Sequence, residues 1–212
     1  MHRMILLALA AALAGASTAE AQRPRTIELP SRWMLNAHTV AAFGTSVQDP
    51  LAIQTLKTGL GGGGGVLVGY AITPRLTAFA GADVVKQGSR TPGLVGHFKL
   101  THLELGARMS FPLRGSSRVL PYAMASAGRR SLSTTVVDLA GNTARIGLSG
   151  LTVGVGGGAQ YFLSPALALD GGVNIGFGTF GGDVVVNGQR FPVPDLERST
   201  VTRVLLGVNW YH

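Results

Sequence analysis

Apolar and polar residues alternate along most of the chain beyond residue 31, with a period of two rather than the 3.6 of a helix. Alternation of this kind is typical of β-strands that have one apolar and one polar face. The pattern predicts eight strands, at residues 32–43, 63–72, 76–86, 98–111, 119–130, 148–162, 166–178 and 200–211. The chain is therefore expected to be an all-β protein.

The predicted connections alternate in length. Short turns lie at 73–75, 112–118 and 163–165, whereas polar, glycine-rich loops occupy 44–62, 87–97, 131–147 and 179–199. Short turns at one end and long loops at the other are typical of an antiparallel up-and-down transmembrane β-barrel. An eight-stranded barrel of this topology also occurs in soluble ligand carriers, so the faces of the strands must distinguish the two.

The glycine run at residues 61–65 resembles a phosphate-binding loop, because Gly59 to Gly64 matches the pattern GxGxxG. A loop of that class is followed by a helix. Here the alternating residues of a predicted strand follow instead, and Pro74 ends them. We therefore interpret the run as the loop end of the second strand.

One face of every predicted strand is free of charge, and in the fifth strand it is assigned to Leu120, Tyr122, Met124, Ser126 and Gly128. The opposite face carries glycine, small polar residues and a few charges. In a soluble barrel this glycine-rich face would have to be the outer, water-exposed surface, and it has too few charges for that. The pattern therefore favours a barrel whose apolar face is turned towards lipid. The polar face would then line the lumen, with a polar network of Asn36, His38, Asp83, Glu104, Arg108, Asp170, Asn174 and Arg203.

Aromatic side chains on the apolar face gather near the short-turn ends of the strands. They are Trp33, Tyr70, Phe111, Tyr122, Tyr161 and Trp210. Amphipathic rings at one level form the aromatic girdle of a membrane interface. A soluble core has no reason to collect its aromatic residues at one rim, so the girdle also favours a membrane barrel.

The N-terminus has the features of a secretory signal peptide. His2 and Arg3 precede an apolar run that is shorter than a membrane span, and Ala19-Glu20-Ala21 supplies a small-x-small cleavage site. We expect a signal peptide at 1–21, a short periplasmic segment at 22–31 and the barrel at 32–212. The chain has no cysteine, so neither disulfides nor thiolate metal sites are expected.

Taken together, these features resemble the small outer-membrane β-barrels of the OmpA/OmpX-like superfamily of Gram-negative-type bacteria. The last strand ends in Trp210 and Tyr211, and only His212 follows. The resemblance implies a location in the outer membrane with both termini in the periplasm. It also implies that the partners are outer-membrane lipids and the insertion machinery, with a monomer favoured.

Only 13% of the residues are charged, yet the net charge is +8. An exported chain without a basic patch interleaved with aromatic residues is not expected to bind nucleic acid. The predicted long loops carry the basic residues Lys57, Lys86, Arg90, Arg145, Arg190 and Arg198. Solvated loop charge and contact with lipopolysaccharide phosphates are both compatible with this pattern.

No catalytic constellation stands out. Lipid A deacylases of similar architecture carry a His-x-Ser pair, which the surroundings of His38, His97 and His102 lack. No metal site and no cofactor are expected. We predict a non-catalytic barrel with a structural or surface-interaction role and a lumen plugged by polar residues and salt bridges. A narrow passive channel resembling OmpW and a soluble periplasmic lipid-binding barrel are the alternatives.

Overall fold

The computed structural model describes residues 33–44, 46–48, 55–89, 97–113, 118–137, 143–186 and 189–212. The predicted signal peptide and the segment 22–31 lie outside the described residues, as does Arg90. Within the described part of the chain, no helix combines the length and the apolar character needed to cross a membrane.

Nine strands account for nearly all of the described residues. They are β1 (Trp33–Phe43), β2 (Ser46–Gln48), β3 (Thr55–Ala71), β4 (Leu76–Ser89), β5 (His97–Ser110), β6 (Val119–Val137), β7 (Thr143–Ser164), β8 (Leu167–Val186) and β9 (Gln189–Tyr211). From β3 to β9, each strand pairs antiparallel with the next, and β1 pairs with both β3 and β9. The sheet thus closes into an eight-stranded barrel, with β2 paired to an extension of β3. The predicted fold class is confirmed.

Several strands are much longer than predicted. The ladder between β6 and β7 runs out to Val137 and Thr143, and that between β8 and β9 runs out to Val186 and Gln189. The predicted loops at 131–147 and 179–199 were therefore wrong. Outward residues become polar where an apolar face is no longer required, but the backbone hydrogen bonds continue beyond that point. Hydrophobic alternation therefore detects the apolar band of a strand rather than its hydrogen-bonded end.

The glycine run was also misplaced, because it lies inside β3 rather than at the mouth of a loop. Its members pair with β1 from Ala42 to His38. An added Cβ at Gly65 would lie 2.7 Å from His38 Nε2 and 2.9 Å from Asp83 Cβ. The absence of a side chain here leaves room for large inward residues of the neighbouring strands.

The barrel has a broad apolar band on the outside and holds charged and amide side chains within. Large exposed hydrophobic residues include Leu35, Val68, Leu105, Leu151, Val153, Ile175 and Leu206. Inside, a proximal cluster near the short turns contains Met34, Leu67, Phe79, Leu120, Tyr122, Met124, Phe162, Ala168 and Tyr211. A distal cluster towards the extended strands contains Val40, Ala42, Val85, Phe98, Leu100, Leu132, Ile146, Leu148, Phe180 and Val201.

Strand β6 has the opposite phase to the one predicted from its sequence. Leu120, Tyr122 and Met124 are buried in the barrel, whereas alternate residues such as Ala123 and Ala125 are exposed. The larger apolar residues of this strand were assumed to face lipid. They are instead needed to fill the lumen, and small alanines suffice on the outer face.

An arginine introduced on the outer face should reveal which part of the barrel lies deepest in lipid. Val153→Arg is expected to lower the free energy of unfolding by ~2–4 kcal/mol, as charges do at a bilayer midplane. Ala159→Arg, on the same face of β7 but nearer the short turn, should cost only about 0–1 kcal/mol. Urea unfolding in phospholipid vesicles measures both. Equal costs would contradict the placement of Val153 at the midplane.

Candidate functional site in the barrel interior

A layer of charged and amide side chains lies in the lumen together with the two apolar clusters. Six strands contribute to this polar layer, whose connected members are Asn36, His38, Asp83, Glu104, Arg108, Tyr122, Ser126, Asp170, Arg203 and Asn209. Alternation places each of them on the inward face of its strand. Buried charges require partners, so the contacts within the layer decide what it can do.

Arg203 of β9 is the centre of one half of the polar layer. Its Nη1 donates to Asp83 of β4, and its Nη2 donates to Glu104 Oε2 at 2.8 Å. Ser126 Oγ also donates to Glu104 Oε2, at 3.0 Å. His38 Nε2 lies 3.8 Å from Asp83 Oδ1. One guanidinium thus neutralises two carboxylates that are both removed from bulk water.

Asp170 of β8 is the centre of the other half. It accepts hydrogen bonds from Arg108 Nη1 at 3.0 Å, Tyr122 Oη at 2.8 Å and Asn209 Nδ2 at 2.9 Å. The Arg108 guanidinium carbon also lies 3.9 Å from the centre of the Tyr122 ring, which is a cation–π distance. Three donors and a ring therefore hold this one ion pair in place.

Two asparagines and a histidine connect the halves. His38 Nδ1 lies 2.6 Å from Asn36 Oδ1, and Asn36 Nδ2 donates to Asn209 Oδ1 at 2.6 Å. An amide oxygen can only accept, so this contact requires the proton of His38 on Nδ1. A continuous chain of contacts therefore runs from Glu104 to Asp170.

The structure buries or half-buries each residue of the predicted lumen network inside the barrel, and it connects all but one of them. Asn174 is fully buried, but its side chain forms no hydrogen bond with the described residues. Its side chain packs closely over Gly154, where an added Cβ would lie 3.0 Å from Asn174 Oδ1. Asn174 therefore belongs to the lumen but not to the hydrogen-bonded layer.

Sequence reasoning missed Arg130. This arginine is 0% exposed, donates from Nη2 to the carbonyl oxygen of Ser199 at 3.4 Å and lies 4.5 Å from the ring centre of Phe180. It was missed together with Tyr122, because the assumed phase of β6 turned both outward. No arginine in the sequence opposed that phase, because Arg129 and Arg130 are adjacent and either phase turns one of them outward.

The other members of the predicted aromatic girdle lie on the outer surface. Trp33 and Tyr70 meet edge to face with ring centres 5.0 Å apart, and Phe111, Tyr161 and Trp210 are exposed. Tyr122 was wrongly assigned to the girdle, because its ring lies inside against Arg108. Tyr211, the neighbour of Trp210, points inward and donates to Gln160 Oε1 at 2.8 Å.

Little space remains between these side chains. The cavity beside the polar layer, lined by residues that include His38, Asp83, Glu104 and Asp170, has a volume of about 20 Å³. A water molecule needs roughly 10–15 Å³ of such volume, so the cavity holds about one water and no larger solute. Among the described residues, no group of three or more histidine, aspartate or glutamate side chains is arranged to hold a metal ion.

Comparison with family models shows what kind of barrel this is. The model of the outer membrane protein beta-barrel domain matches residues 4–192. The chain belongs to this family. Membership of this family locates the protein in the cell outer membrane, and the outward apolar face agrees with that location. The soluble lipid-binding alternative is therefore overturned.

Solved structures give the same architecture for this outer-membrane barrel. Neisserial surface protein A is 21% identical, with a TM-score of 0.57 over 85% of this chain and 97% of that one. A major outer membrane protein from Thermus thermophilus is 15% identical, with a TM-score of 0.58 over 84% of this chain and 98% of that one. At these identities the likeness concerns the fold alone. A comparison with curated proteins gives no match.

Removing Arg203 should expose its role in the polar layer. Arg203→Leu leaves Asp83 and Glu104 without their shared cation, so we expect the free energy of unfolding to fall by about 3–5 kcal/mol. Adding Asp83→Asn and Glu104→Gln to this variant removes the buried negative charges and should recover most of the loss. Urea unfolding in detergent measures both. A triple variant no more stable than Arg203→Leu would contradict the proposed cause.

A smaller change tests the inward position of Tyr122. Tyr122→Phe removes one hydrogen bond to a buried carboxylate, and the expected loss in the free energy of unfolding is about 1.5–3 kcal/mol. Tyr161→Phe, on the outer face of β7, is the matched control and should change stability by less than about 0.5 kcal/mol. The same unfolding assay applies. If the outward tyrosine proved the costlier of the two, the phase of β6 would be incorrect.

Proposed function

We propose that this protein is a closed, non-catalytic outer-membrane barrel with a structural or surface-interaction role. The observation that carries the proposal is the filled lumen. The charged side chains of the polar layer are paired with one another, and two apolar clusters lie with them inside the barrel. A solute would have to displace apolar side chains and break ion pairs to pass.

Closure follows from the width of the barrel. Eight strands give an interior that side chains can fill, without the aqueous channel of 16-stranded barrels. The many inward glycines do not leave this interior empty, because large neighbours occupy the space. At Gly158, an added Cβ would lie 2.7 Å from Tyr122 Oη and 2.1 Å from the carbonyl oxygen of Gly171.

The surface role is supported by the length of the strands. Crossing the hydrocarbon core takes about 9–11 residues of a tilted strand, but β6, β7, β8 and β9 have 19, 22, 20 and 23 residues. About ten residues of each therefore extend beyond the membrane as paired β-structure. Hydrogen-bonded strands give a preformed surface that needs little ordering when a partner binds.

The orientation in the membrane follows from the ends of the barrel. Met34, near the start of β1, pairs with Tyr211 near the end of β9, at the short-turn edge. Short turns face the periplasm in outer-membrane barrels. We therefore place both termini in the periplasm and the extended strands at the cell exterior.

A narrow passive channel is the second candidate, and the charged groups of the lumen are the observation in its favour. It requires a continuous path for ions, which a cavity of about 20 Å³ does not provide. Conductance in lipid bilayers separates the two candidates directly.

We expect bilayers containing the refolded protein to show no stable conductance steps, whereas a 16-stranded porin in the same bilayer serves as the positive control. Refolding is monitored by the mobility shift on boiling in SDS gels. The variant Arg203→Leu should stay closed as well, because the apolar clusters remain in the lumen. Reproducible unitary steps from heat-shifted wild-type protein would favour the channel.

A further inference from the structure

Basic side chains lie on the outer face of the strands from β4 to β9, at and above the upper edge of the apolar band. They are Lys86 of β4, Lys99 of β5, Arg129 of β6, Arg145 of β7 and Arg190 of β9, and all are exposed. We call this set the basic face. From these residues we propose that the basic face binds the phosphorylated headgroup of a saccharide-bearing lipid in the outer leaflet, a glycolipid of the lipopolysaccharide class.

The lysine pair is the first observation that points to an anion. Lys86 and Lys99 lie directly opposite each other in the ladder between β4 and β5. Like charges in directly opposed positions of an antiparallel pair destabilise a sheet. In the described part of the chain, neither lysine has a carboxylate within ion-pair distance. A phosphate bound between the two ammonium groups would relieve their repulsion.

The position of Arg129 adds an apolar component. It lies opposite Leu103 of β5 and Leu151 of β7, which are 56% and 78% exposed. Its Nη2 donates to Ser149 Oγ at 2.9 Å, which holds the guanidinium against the outer wall. The cation is thus fixed where acyl chains end and headgroups begin. A lipid can contact the arginine with its headgroup and the leucines with its acyl chains, whereas a soluble polyanion would contact the arginine alone.

The height of the basic face distinguishes a glycolipid from an ordinary phospholipid. Arg145 pairs with Thr135, six residues beyond Arg129 on β6. Six residues of a strand tilted by 35–45° rise about 14–16 Å along the membrane normal. The headgroup region of a phospholipid leaflet is only about 5–8 Å deep. A lipid that reaches both levels must carry a long, charged headgroup.

A concave region in the upper part of the basic face has the composition expected for contact with saccharide. It is an open surface depression of about 570 Å³, lined by residues that include Ser133, Thr135, Arg145, Asp183 and Arg190. Hydroxyl, carboxylate and guanidinium groups offer both donors and acceptors to sugar hydroxyls. Arg190 Nε lies 3.7 Å from Asp183 Oδ2, and the arginine side chain is 72% exposed. The guanidinium therefore remains accessible to an anionic group.

The test compares three ligands with the full-length protein refolded in a zwitterionic detergent. Purified lipopolysaccharide, phosphatidylglycerol micelles and a soluble sulfated polysaccharide are titrated against the wild type and against Lys86→Gln/Lys99→Gln. The matched control is Arg75→Gln/Arg118→Gln, which removes two exposed cations near the short turns. Each Lys or Arg near an anionic lipid surface is worth about fivefold in affinity.

We expect the wild type to bind lipopolysaccharide more tightly than the other two ligands, with the affinity falling as salt is added. The double lysine variant should bind about thirtyfold more weakly, and the control variant should stay within about twofold of wild type. Lys86→Arg/Lys99→Arg keeps both charges and should retain binding. The boiling shift checks that each variant is folded.

Several results would overturn the inference. Equal affinity for phosphatidylglycerol would mean a general attraction to anionic membranes, and equal affinity for the polysaccharide would mean a soluble polyanion. A loss of the same size in the control variant would mean that net charge alone matters. The inference rests on the proposed closed barrel with a surface role, and conductance tests the closure separately. A closed barrel that ignores lipopolysaccharide would refute only the lipid site.

Discussion

Arg203 lies between Asp83 and Glu104 in an interior that water hardly reaches, and the rest of the barrel is organised around such pairings. A carboxylate taken out of water costs several kcal/mol unless a cation and hydrogen-bond donors replace its hydration. Six strands, distant in sequence, must therefore register so that each charge meets its partner. The ladders set this register, since Asn36 and Asn209, which share a hydrogen bond, are directly opposed in β1 and β9. A slip of one residue would turn the charges towards lipid.

Glycine provides the space that this pairing needs. In a narrow barrel the inward side chains of eight strands compete for one lumen, and several large inward residues are directly opposed by a glycine, as His38 is by Gly65. Gly65 makes room for His38 and Asp83, and Gly158 makes room for Tyr122. The cost of glycine in a strand is a loss of conformational entropy on folding. Closed ladders on both sides of each strand and a filled core offset that cost.

The composition of the outer surface changes along the barrel axis with the medium that surrounds it. Beside lipid it presents leucine, valine and alanine, and at the short-turn end it presents Trp33, Tyr70 and Trp210. Above the lipid it becomes polar and basic, while the same strands continue to pair. The membrane boundary is thus a change of side chains along uninterrupted strands. This continuity places Arg129 directly opposite the two exposed leucines Leu103 and Leu151.

Sequence alone determined the strand count of the barrel and the inward position of residues such as Asp83 and Arg203. Strands in which apolar and polar residues alternate, with charge on one face, are compatible with few folds other than a barrel in a membrane. It could not determine where strands end, since the backbone of β6 and β7 remains paired after their outer faces turn polar. It also gave β6 the wrong phase, because Tyr122 and Met124 look more lipid-facing than the alanines between them. Only the closed barrel decides such a case. Large side chains must fill the lumen, and Asp170 needs hydrogen-bond donors. These two requirements involve residues on several strands, and they override the local pattern of hydrophobicity in β6.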